Sequence, residues 1–299
     1  MSQNEDFESD NIPTHNVFYH YPCNDGELAK VIWETKYLKS NFYPWDHKDI
    51  DKSIKILAIL SNKIPIVFLD VCPLITLLSN DYNYIIIDHH ENAVNTIKQN
   101  IELLQNNNIT LYYDFKKSGC MLTWDYCYNT EMPQMVKYIG SKDIWDFSNV
   151  NTEPYSLGYS SYFAIDIGLK FTMIFILLQK PDYYLHNVFI RNGNNIIEEY
   201  RADAKQCFNF YNLTTECIDN ISYNIIDIVC SNNNIYKYLI EYAASHSSYD
   251  ADVLRILHTN NINKTYSLRS LKDNIRVDGI ARFYGGNGHP KAAGYTEKL

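Results

Sequence analysis

Short apolar runs alternate with helical patterns over the first 130 residues of the chain. Four runs have the length of buried strands: residues 17–21, 64–71, 84–87 and 110–113. Between them, apolar residues recur at helical spacing, as from Gly26 onward, after Pro73 and over residues 118–128. Buried strands that alternate with helices are typical of a parallel sheet covered by helices on both faces.

The rest of the chain predicts a mainly helical stretch and then a smaller α/β domain. Helical spacing persists from about 131 to 210, with a polar run at 191–195 that we take as the link between domains. Strand-like runs at 221–230, 252–258 and 265–269 accompany a helix at 235–244. We therefore predict an α/β protein with four parts: a disordered tail at 1–15, a parallel-sheet domain at 16–190, a linker helix at 191–215 and a smaller α/β domain at 216–299.

The composition is that of a soluble globular protein, but the charge is unevenly spread. Of the 299 residues, 46% are hydrophobic and 20% are charged, which excludes collagen, a coiled coil and wholesale disorder. The net charge of −9 excludes a general nucleic-acid coat. Residues 264–299 nevertheless carry seven Lys or Arg against three acids, a net +4, whereas the preceding 263 residues carry −13. A cationic end on an acidic protein is either a solvated surface or a place that holds an anion.

Cysteine usage and the N-terminus both indicate a reducing, intracellular setting. The seven cysteines are odd in number and form no C-x-x-C pair, so they suggest neither a disulfide framework nor a zinc knuckle. The first eleven residues are acidic and polar, unlike a signal peptide. The most apolar stretch, residues 171–178, is too short to span a bilayer. We expect a cytoplasmic protein with no membrane partner.

Titratable residues follow three of the predicted strands, and packing does not explain them. His20 lies at the end of the first strand, Asp70 ends the second run, and Asp88-His89-His90 follows the third. Ligands of parallel sheets bind at the carboxyl ends of the strands. Neighbouring imidazoles repel each other when charged, and a divalent cation removes this repulsion by binding them neutral. The Asp-His-His run therefore indicates function rather than structure.

The turn after the first strand is ambiguous when taken alone. His20, Cys23 and Asp25 lie within six residues and could converge on one metal ion. The structural alternative is a turn whose polar residues are incidental. In both cases Gly26 is expected to let the backbone turn tightly.

Two further acids have both a structural and a functional interpretation. Asp70 is either a buried acid that is paired or bound to a metal ion, or the N-cap of a helix before Pro73, and the two interpretations have equal support. Of Asp143 and Asp146, one fits a metal ligand and the other a cap. Taken with the Asp-His-His run and the upstream turn, these acids can assemble a two-metal site.

A glycine-rich run at residues 285–294, GGNGHPKAAG, forms a second candidate site. It is not a dinucleotide-binding fingerprint, because Lys291 occupies the position three after Gly288 and too little chain follows for a βαβ unit. We expect a glycine loop that enters a helix and offers free backbone N–H groups to a phosphate. Arg269, His289 and Lys291 would add charge and hydrogen bonds. The structural alternative is a glycine-rich hairpin before a terminal helix.

The order of these pieces resembles the DHH phosphoesterases with a C-terminal DHHA1 domain. That family includes RecJ-like exonucleases, oligoribonucleases called nanoRNases, and cyclic-dinucleotide phosphodiesterases. The resemblance covers the chain from about residue 16 to 299. In chain order it rests on the following pieces: His20 with Asp25 and Gly26, Asp70, Asp88-His89-His90, Asp143, SLRS at 267–270 and the glycine-rich run.

The resemblance implies a role for each residue. His20, Cys23 and Asp70 would hold one divalent ion, usually manganese, and Asp25, Asp70, His89 and Asp143 would hold the second, with Asp70 bridging. His90 would contact the scissile phosphate, and Asp88 would orient an imidazole. Water activated by the ions would attack phosphorus in line. Six residues of the second domain would grip a phosphate or the terminal nucleotide: Ser267, Arg269, Gly286, Gly288, His289 and Lys291.

Cys23 departs from the family pattern, which commonly has Asp at this place. A thiolate can coordinate a divalent ion but is softer than a carboxylate, so the metal preference would shift from Mn²⁺ towards Zn²⁺ or Fe²⁺. The other outcome is a half-vacant first site and low activity.

We predict a metal-dependent phosphodiesterase that hydrolyses short RNA or DNA oligonucleotides or dinucleotides. An acidic protein with one cationic patch suits short substrates, because long duplexes need many phosphate contacts. A nanoRNase fits best, followed closely by a cyclic-dinucleotide hydrolase, and a nucleoside bisphosphate phosphatase uses the same scaffold. The alternative from another class is a nucleotide-binding module that has lost catalysis. The glycine-rich run disfavours a pyrophosphatase, whose second domain differs in this superfamily. The sequence does not determine the oligomeric state, and a homodimer is one state that it allows.

Overall fold

The computed structural model describes residues 13–46, 50–61, 63–104, 108–164, 169–180, 183–246, 249–259 and 263–298. The chain divides into two compact units, Met1–Asn194 and Asn195–Leu299. Residues 1–12, which hold most of the predicted tail, lie outside the described part. Across the described ranges, none of the helices has the length and apolar character that crossing a bilayer requires.

Unit 1 is built on a five-stranded sheet in which every pairing is parallel. The strand order is β2-β1-β3-β4-β5. The strands are β1 Asn16–His20, β2 Asn41–Trp45, β3 Ile66–Leu69, β4 Tyr84–Ile87 and β5 Ile109–Tyr112. The helices are α1 Asn24–Lys36, α2 Ile50–Leu57, α3 Glu91–Leu104, α4 Gly119–Cys127, α5 Gln134–Asp143, α6 Thr152–Phe163 and α7 Lys170–Gln179, followed by the first part of α8 Tyr184–Cys207.

The continuous apolar character of the strands reflects burial on both faces of this sheet. Successive side chains of a strand point to opposite faces. In β1, Val17 and Tyr19 belong to one core cluster together with residues of α1, α4 and α5. Phe18, between them, belongs to another cluster with Leu57 of α2 and Ile97 of α3. Helices therefore cover both faces, which confirms the predicted fold class of the first domain.

Unit 2 is a smaller α/β unit with a six-stranded mixed sheet, as predicted in outline. The strand order is β10-β11-β9-β8-β7-β6, and only the β7–β8 pair is parallel. Its elements after α8 are β6 Asn212–Ile218, β7 Ile221–Val229, α9 Tyr236–Ser245, β8 Val253–Thr259, β9 Asn263–Ser270, α10 Val277–Phe283, β10 Asn287–His289 and β11 Ala292–Lys298.

The boundary between the two units, after Asn194, falls inside the polar run 191–195 where the sequence placed the domain link. The run is helical, because it lies inside the continuous helix α8. Most of its polar side chains occupy the exposed side of the helix. Gly193 is buried, and a Cβ there would stand 1.7 Å from the backbone oxygen of Pro154 in α6. The glycine therefore serves close packing of α8 against α6.

One predicted helix is wrong, and two strands were not predicted. The helix predicted after Pro73 is only a 3₁₀ turn, Ile75–Leu77. The sequence pattern did not predict strands β2 and β6, because both lie at sheet edges and are largely exposed. Pro44 within β2 also weakens the strand pattern, although an edge strand tolerates a proline.

Candidate functional site

Three parallel strands deliver the predicted ligands to one edge of the unit 1 sheet. His20 is the last residue of β1, Asp70 follows β3 directly, and Asp88 follows β4. Helix α1 begins just after Cys23 and so brings Asp25 to the same edge, and Asp143 is the last residue of α5. All the residues that the sequence assigned to the two metal ions meet there.

Asp70 lies at the centre of the group. Its carboxylate is almost completely buried, with Oδ2 3.0 Å from Nδ1 of His20 and Oδ1 3.2 Å from Nε2 of His89. Its backbone has φ of +59°, a left-handed conformation that is uncommon for residues other than glycine. Asp70 is therefore not the helix N-cap that the sequence left open.

Nε2 of His89 faces three carboxylates at once. The nitrogen lies 3.2 Å from Asp70 Oδ1, 3.3 Å from Asp143 Oδ2 and 4.0 Å from Asp25 Oδ2. Yet both Nε2 of His89 and Oδ1 of Asp70 are buried without a well-formed hydrogen bond. Buried polar atoms normally have partners. Ligand atoms that crowd together without bonding each other are the arrangement expected around a shared cation.

Three overlapping sets of side chains have ligand atoms within 4.8 Å of one another. The sets are His20, Cys23 and Asp70; Asp25, His89 and Asp143; and Asp70, Asp88, His89 and His90. Asp70 and His89 each belong to two sets. Imidazole, carboxylate and thiol groups are ligands of divalent transition metals, so these residues fit two divalent ions that share ligands.

Helix α4 holds Asp25 in place through its N-terminus. The carboxylate accepts hydrogen bonds from Ser118 Oγ at 2.7 Å and from the backbone N–H groups of Gly119 and Cys120 at 2.6 and 3.1 Å. The N-terminus of a helix offers unpaired N–H groups and a favourable dipole to an anion. These contacts fix the orientation of Asp25 towards the cluster.

Asp88 orients the second histidine of the run. Its Oδ1 accepts the backbone N–H groups of His89 and His90, at 2.7 and 3.3 Å, and lies 2.7 Å from Nδ1 of His90. The hydrogen bond that the imidazole donates to Asp88 raises the pKa of His90 to about 9, against the opposing effect of burial. The His90 side chain is 48% exposed, whereas that of Asp88 is fully buried. Asp88 therefore positions an imidazole that remains accessible from outside.

The cluster concentrates negative charge that a cation would neutralise. Burial, together with the charges of Asp70 and Asp143, raises the pKa of Asp25 well above its usual value. Burial and the charge of Asp70 also raise the pKa of Asp143, and the same two causes raise that of the Cys23 thiol. Burial opposes ionisation of Asp70, but the hydrogen bond with His20 and the close approach of the His89 imidazole outweigh it and lower the pKa.

Gly26 has a different role from the tight turn that the sequence suggested. It lies inside α1 with an ordinary backbone conformation, since its φ is not among the positive values. A Cβ at this position would stand 2.3 Å from the backbone oxygen of His20. The glycine is needed because the helix starts directly against the end of β1.

Unit 2 places two of the predicted phosphate ligands in one row across its sheet. Arg269 on β9 pairs with Ala292 on β11, which pairs with His289 on β10. Arg269 is half-buried and forms no ion pair within the described residues; its Nη1 donates to the backbone oxygen of Leu268, and its guanidinium lies 5.9 Å from the ring centre of Tyr236. Burial lowers the pKa of Arg269. A cation without a carboxylate partner suits an anionic ligand.

The glycine-rich run does not form the loop before a helix that the sequence predicted. It follows the C-terminal end of α10 and continues into the β10–β11 hairpin. The N–H groups of Gly285 and Gly286 donate to the backbone oxygens of Arg282 and Ala281, so they are not free for a phosphate. Gly285 has φ of +77°, as in a helix C-cap.

Lys291 and the remaining glycines of the run have structural contacts. The Lys291 ammonium donates to the backbone oxygens of Lys272 and Asp273. A Cβ on Gly286 or Gly288 would collide with strand β11. Of the six predicted phosphate-binding residues, Arg269 and His289, with Ser267 nearby on β9, keep side chains that suit this role.

Sequence reasoning missed several residues that shape these sites. Ser118 and Gly119 hold Asp25, and the only signal was a serine at the start of a helical pattern. Tyr236 hydrogen-bonds with Ser267 and lies against Arg269. Lys142 and the exposed Trp145 flank Asp143, although the DIWDF run was noticed only for its acids.

Comparison with known proteins supports the fold more than the family. No known family model matches the chain. Protein R106 of Acanthamoeba polyphaga mimivirus, described as uncharacterized, is 24% identical over 316 residues, which cover 98% of this chain and 69% of R106. The solved structure of the pGpG-specific phosphodiesterase PggH from Vibrio cholerae is similar with a TM-score of 0.52 and 10% identity, covering 95% of this chain and 94% of PggH.

These similarities show that the chain has a two-unit α/β fold also found in a phosphodiesterase. Identity this low shows the fold alone, and membership in the DHH family stays a prediction. The residues that carry the predicted chemistry are nevertheless brought together in three dimensions, which the sequence motifs alone did not guarantee.

Proposed function

We propose that the protein is a metal-dependent phosphodiesterase that hydrolyses short oligonucleotides or dinucleotides. The observation that carries this proposal is that two ligand sets adjoin: Asp70 of the set with His20 and Cys23 lies 3.2 Å from His89, which belongs to the second set. A third set contains both Asp70 and His89 and so links the two. A carboxylate shared between two groups of ligands suits a pair of cations a few ångströms apart, the arrangement used for in-line displacement at phosphorus.

Bound divalent ions would lower the pKa of water and neutralise charge on the phosphate. The residues of this chain divide the remaining work. The Asp25 and Asp70 carboxylates, both buried, hold the positive charges at fixed places, while His90 presents its half-exposed imidazole to the scissile phosphate. Asp88 keeps that imidazole in one orientation and favours its protonated form, which donates to an anionic oxygen.

A short substrate is supported by the charge distribution. The protein is acidic, with net charge −9, and extended nucleic acids need many phosphate contacts. Arg269 and His289 of unit 2 form a compact row, one cation beside an imidazole, that suits one or two phosphates. The fold shared with a phosphodiesterase named for pGpG fits a substrate of dinucleotide size.

A turnover assay tests the proposal. Purified protein with Mn²⁺, Zn²⁺ or Fe²⁺ would receive labelled RNA and DNA of two to five nucleotides, linear and cyclic dinucleotides, and nucleoside bisphosphates. We expect mononucleotide release from the short diesters, reduced about 100-fold or more by Asp70→Asn or Asp143→Asn, since even outer-shell changes cost 10- to 100-fold.

A matched control separates loss of a ligand from loss of charge. Asp146 lies three residues after Asp143 and is exposed, and its carboxylate accepts the backbone N–H of Ser148 in the following turn. Asp146→Asn should therefore keep wild-type turnover. Folded protein that releases no product with any of the three metals would overturn the proposal and favour a nucleotide-binding module without catalysis.

A further inference from the structure

A cavity of about 380 Å³ adjoins the candidate metal centre in unit 1. Asp25 and Asp143 of the centre form part of its wall. The rest of the wall includes side chains that the proposed chemistry does not use: Asn24, Lys142, Trp145, Ser156 and Ser160. A volume near 400 Å³ is within the range of small-molecule sites; it has room for one nucleoside but not for an oligonucleotide.

Trp145 is the most unusual residue of this wall. Its side chain is 74% exposed, although tryptophan normally buries most of its large surface. Its backbone has φ of +59°, which is strained for a bulky residue. The Lys142 ammonium lies 4.4 Å from the centre of a ring of the indole. Core packing explains neither the exposure nor the strain, and both occur two residues after the candidate ligand Asp143.

The polar part of the wall is already fixed in position. The Asn24 amide donates to Ser160 Oγ at 2.9 Å and accepts from the Lys170 ammonium at 3.2 Å. Ser156 of helix α6 is buried and also lines the cavity. The amide of Asn24 and the hydroxyl of Ser160, held by these bonds, can bond to a base edge or a sugar hydroxyl with little loss of conformational freedom.

We infer that this cavity binds the nucleoside next to the scissile phosphate, with its base stacked on the Trp145 indole. The inference rests on the proposed function, because the metal centre beside the cavity sets where the phosphate lies. Stacking on an aromatic side chain is tolerant of base identity. The site therefore accepts any base, binds the larger purines more tightly, and recognises a nucleotide by its base as well as by its phosphate.

Binding of mononucleotides tests this without any turnover. AMP, CMP and ribose 5-phosphate would be titrated by calorimetry, with and without Mg²⁺, and quenching of tryptophan fluorescence would report stacking. We expect AMP to bind more tightly than CMP, and ribose 5-phosphate to bind most weakly and without quenching. Trp145→Ala should weaken AMP binding about 10-fold, since a base–aromatic stack has a large effect on alanine substitution, and leave ribose 5-phosphate unchanged.

Two variants keep the result specific. Trp145→Phe retains an aromatic face and should restore most of the AMP affinity, whereas Val150→Ala, at an 85% exposed position of the same unit, should bind like wild type. Equal binding of AMP and ribose 5-phosphate by the wild-type protein would overturn the inference, and this comparison needs no variant to fold. Equal weakening of both ligands by Trp145→Ala would overturn it as well.

The outcome is distinguishable from failure of the proposed function. Base-dependent AMP binding without hydrolysis of any diester would support the nucleoside site and contradict the proposed phosphodiesterase activity. Hydrolysis that proceeds equally well on dinucleotides with and without a base would support the activity and contradict the nucleoside site.

Discussion

Gly119 and Asp70 approach so closely that a Cβ on the glycine would stand 2.4 Å from the Cβ of the aspartate. The backbone N–H of the same glycine donates to Asp25 Oδ2 at 2.6 Å. One residue without a side chain thus lets an acid that follows strand β3 and an acid at the start of helix α1 reach the same place. The start of helix α4 is in this sense part of the candidate metal centre.

Gly119→Ala should damage the centre while leaving the fold recognisable. Backbone and Asp70 must shift to admit the methyl group, and overpacking of this kind costs about 1–3 kcal/mol of stability. We expect Mn²⁺ affinity to fall by about 10-fold or more, as for other residues that orient metal ligands. Thermal unfolding and calorimetric titration measure the two effects.

Gly279→Ala is the matched control for this change. Gly279 lies inside helix α10, and a Cβ there would meet nothing within 4 Å. Alanine in a helix is favoured over glycine by about 0.5–1 kcal/mol, so this variant should be slightly more stable and bind metal normally. Unchanged metal affinity in Gly119→Ala would contradict the role given to the close approach.

Cys23 should give bound metal a thiolate signature. Its Sγ lies within 4.8 Å of ligand atoms of His20 and Asp70. We expect the Co²⁺-loaded protein to show a sulfur-to-metal charge-transfer band in the near ultraviolet. Cys23→Asp should abolish this band and shift the preference towards Mn²⁺ by about 10-fold, because carboxylates suit harder ions.

The exposed thiol of Cys217 supplies the control for that experiment. Cys217→Ser should keep the band at full intensity. A band that survives Cys23→Asp would place the thiolate ligand elsewhere and count against Cys23.

Arg255 should be a major source of stability in unit 2. Its guanidinium bonds to both carboxylate oxygens of Glu216, at 2.7 and 3.0 Å, and to Asp227, at 2.5 and 2.9 Å. Arg255→Met would leave two partly buried acids facing each other. We expect a loss of about 2–3 kcal/mol at pH 7, below the range for a fully buried pair because the acids are partly exposed. Chemical denaturation measures this loss.

The contact between Arg255 and Glu216 also predicts how the stability of the protein changes with pH. Burial raises the pKa of Glu216, but hydrogen bonds and charge from Arg255 outweigh it and lower the value. A lowered pKa contributes stability above the ordinary value near 4.5, and that stability is lost as pH falls through the folded value. The difference between Arg255→Met and wild type should therefore shrink below about pH 4.5.

A surface pair provides the comparison for Arg255. Arg201 and Glu198 form an exposed ion pair on α8, and such pairs contribute little. Arg201→Met should change stability by less than about 0.5 kcal/mol at any pH. An Arg255→Met variant that behaves like Arg201→Met would refute the structural role of the network.

The parts of the fold that the sequence predicted are those with local signals. Strands β1, β3 and β4 are short apolar runs, and the acid or histidine at the end of each is visible in the chain. Because strand ends of a parallel sheet meet at one edge, the local pattern placed His20, Asp70 and the Asp-His-His run together. The full ligand set, with Cys23, Asp25 and Asp143, followed only from the resemblance to the DHH phosphoesterases. The first domain and its candidate metal residues were therefore accessible without a structure.

The parts that the sequence did not predict depend on tertiary contacts. The hydrogen bond from Ser118 to Asp25 joins residues that are far apart in the chain. The left-handed backbone of Asp70 likewise has no signal in the neighbouring sequence. The glycine-rich run has the composition of a phosphate loop, yet its N–H groups close helix α10. Glycine content alone does not distinguish a free loop from a helix cap followed by a tight hairpin.

The measurement that tests the central claim most directly is the metal content of the protein and the coupling between the ions. Protein loaded with Mn²⁺, and in parallel with Co²⁺ because of Cys23, would be dialysed, analysed for metal and studied by electron paramagnetic resonance. Two ions per chain with an exchange-coupled spectrum in wild type, and loss of that coupling in folded Asp70→Asn, are the predicted results. A single isolated ion, or a coupled spectrum that Asp70→Asn leaves unchanged, would contradict the assignment of Asp70 as the residue that joins two metal sites.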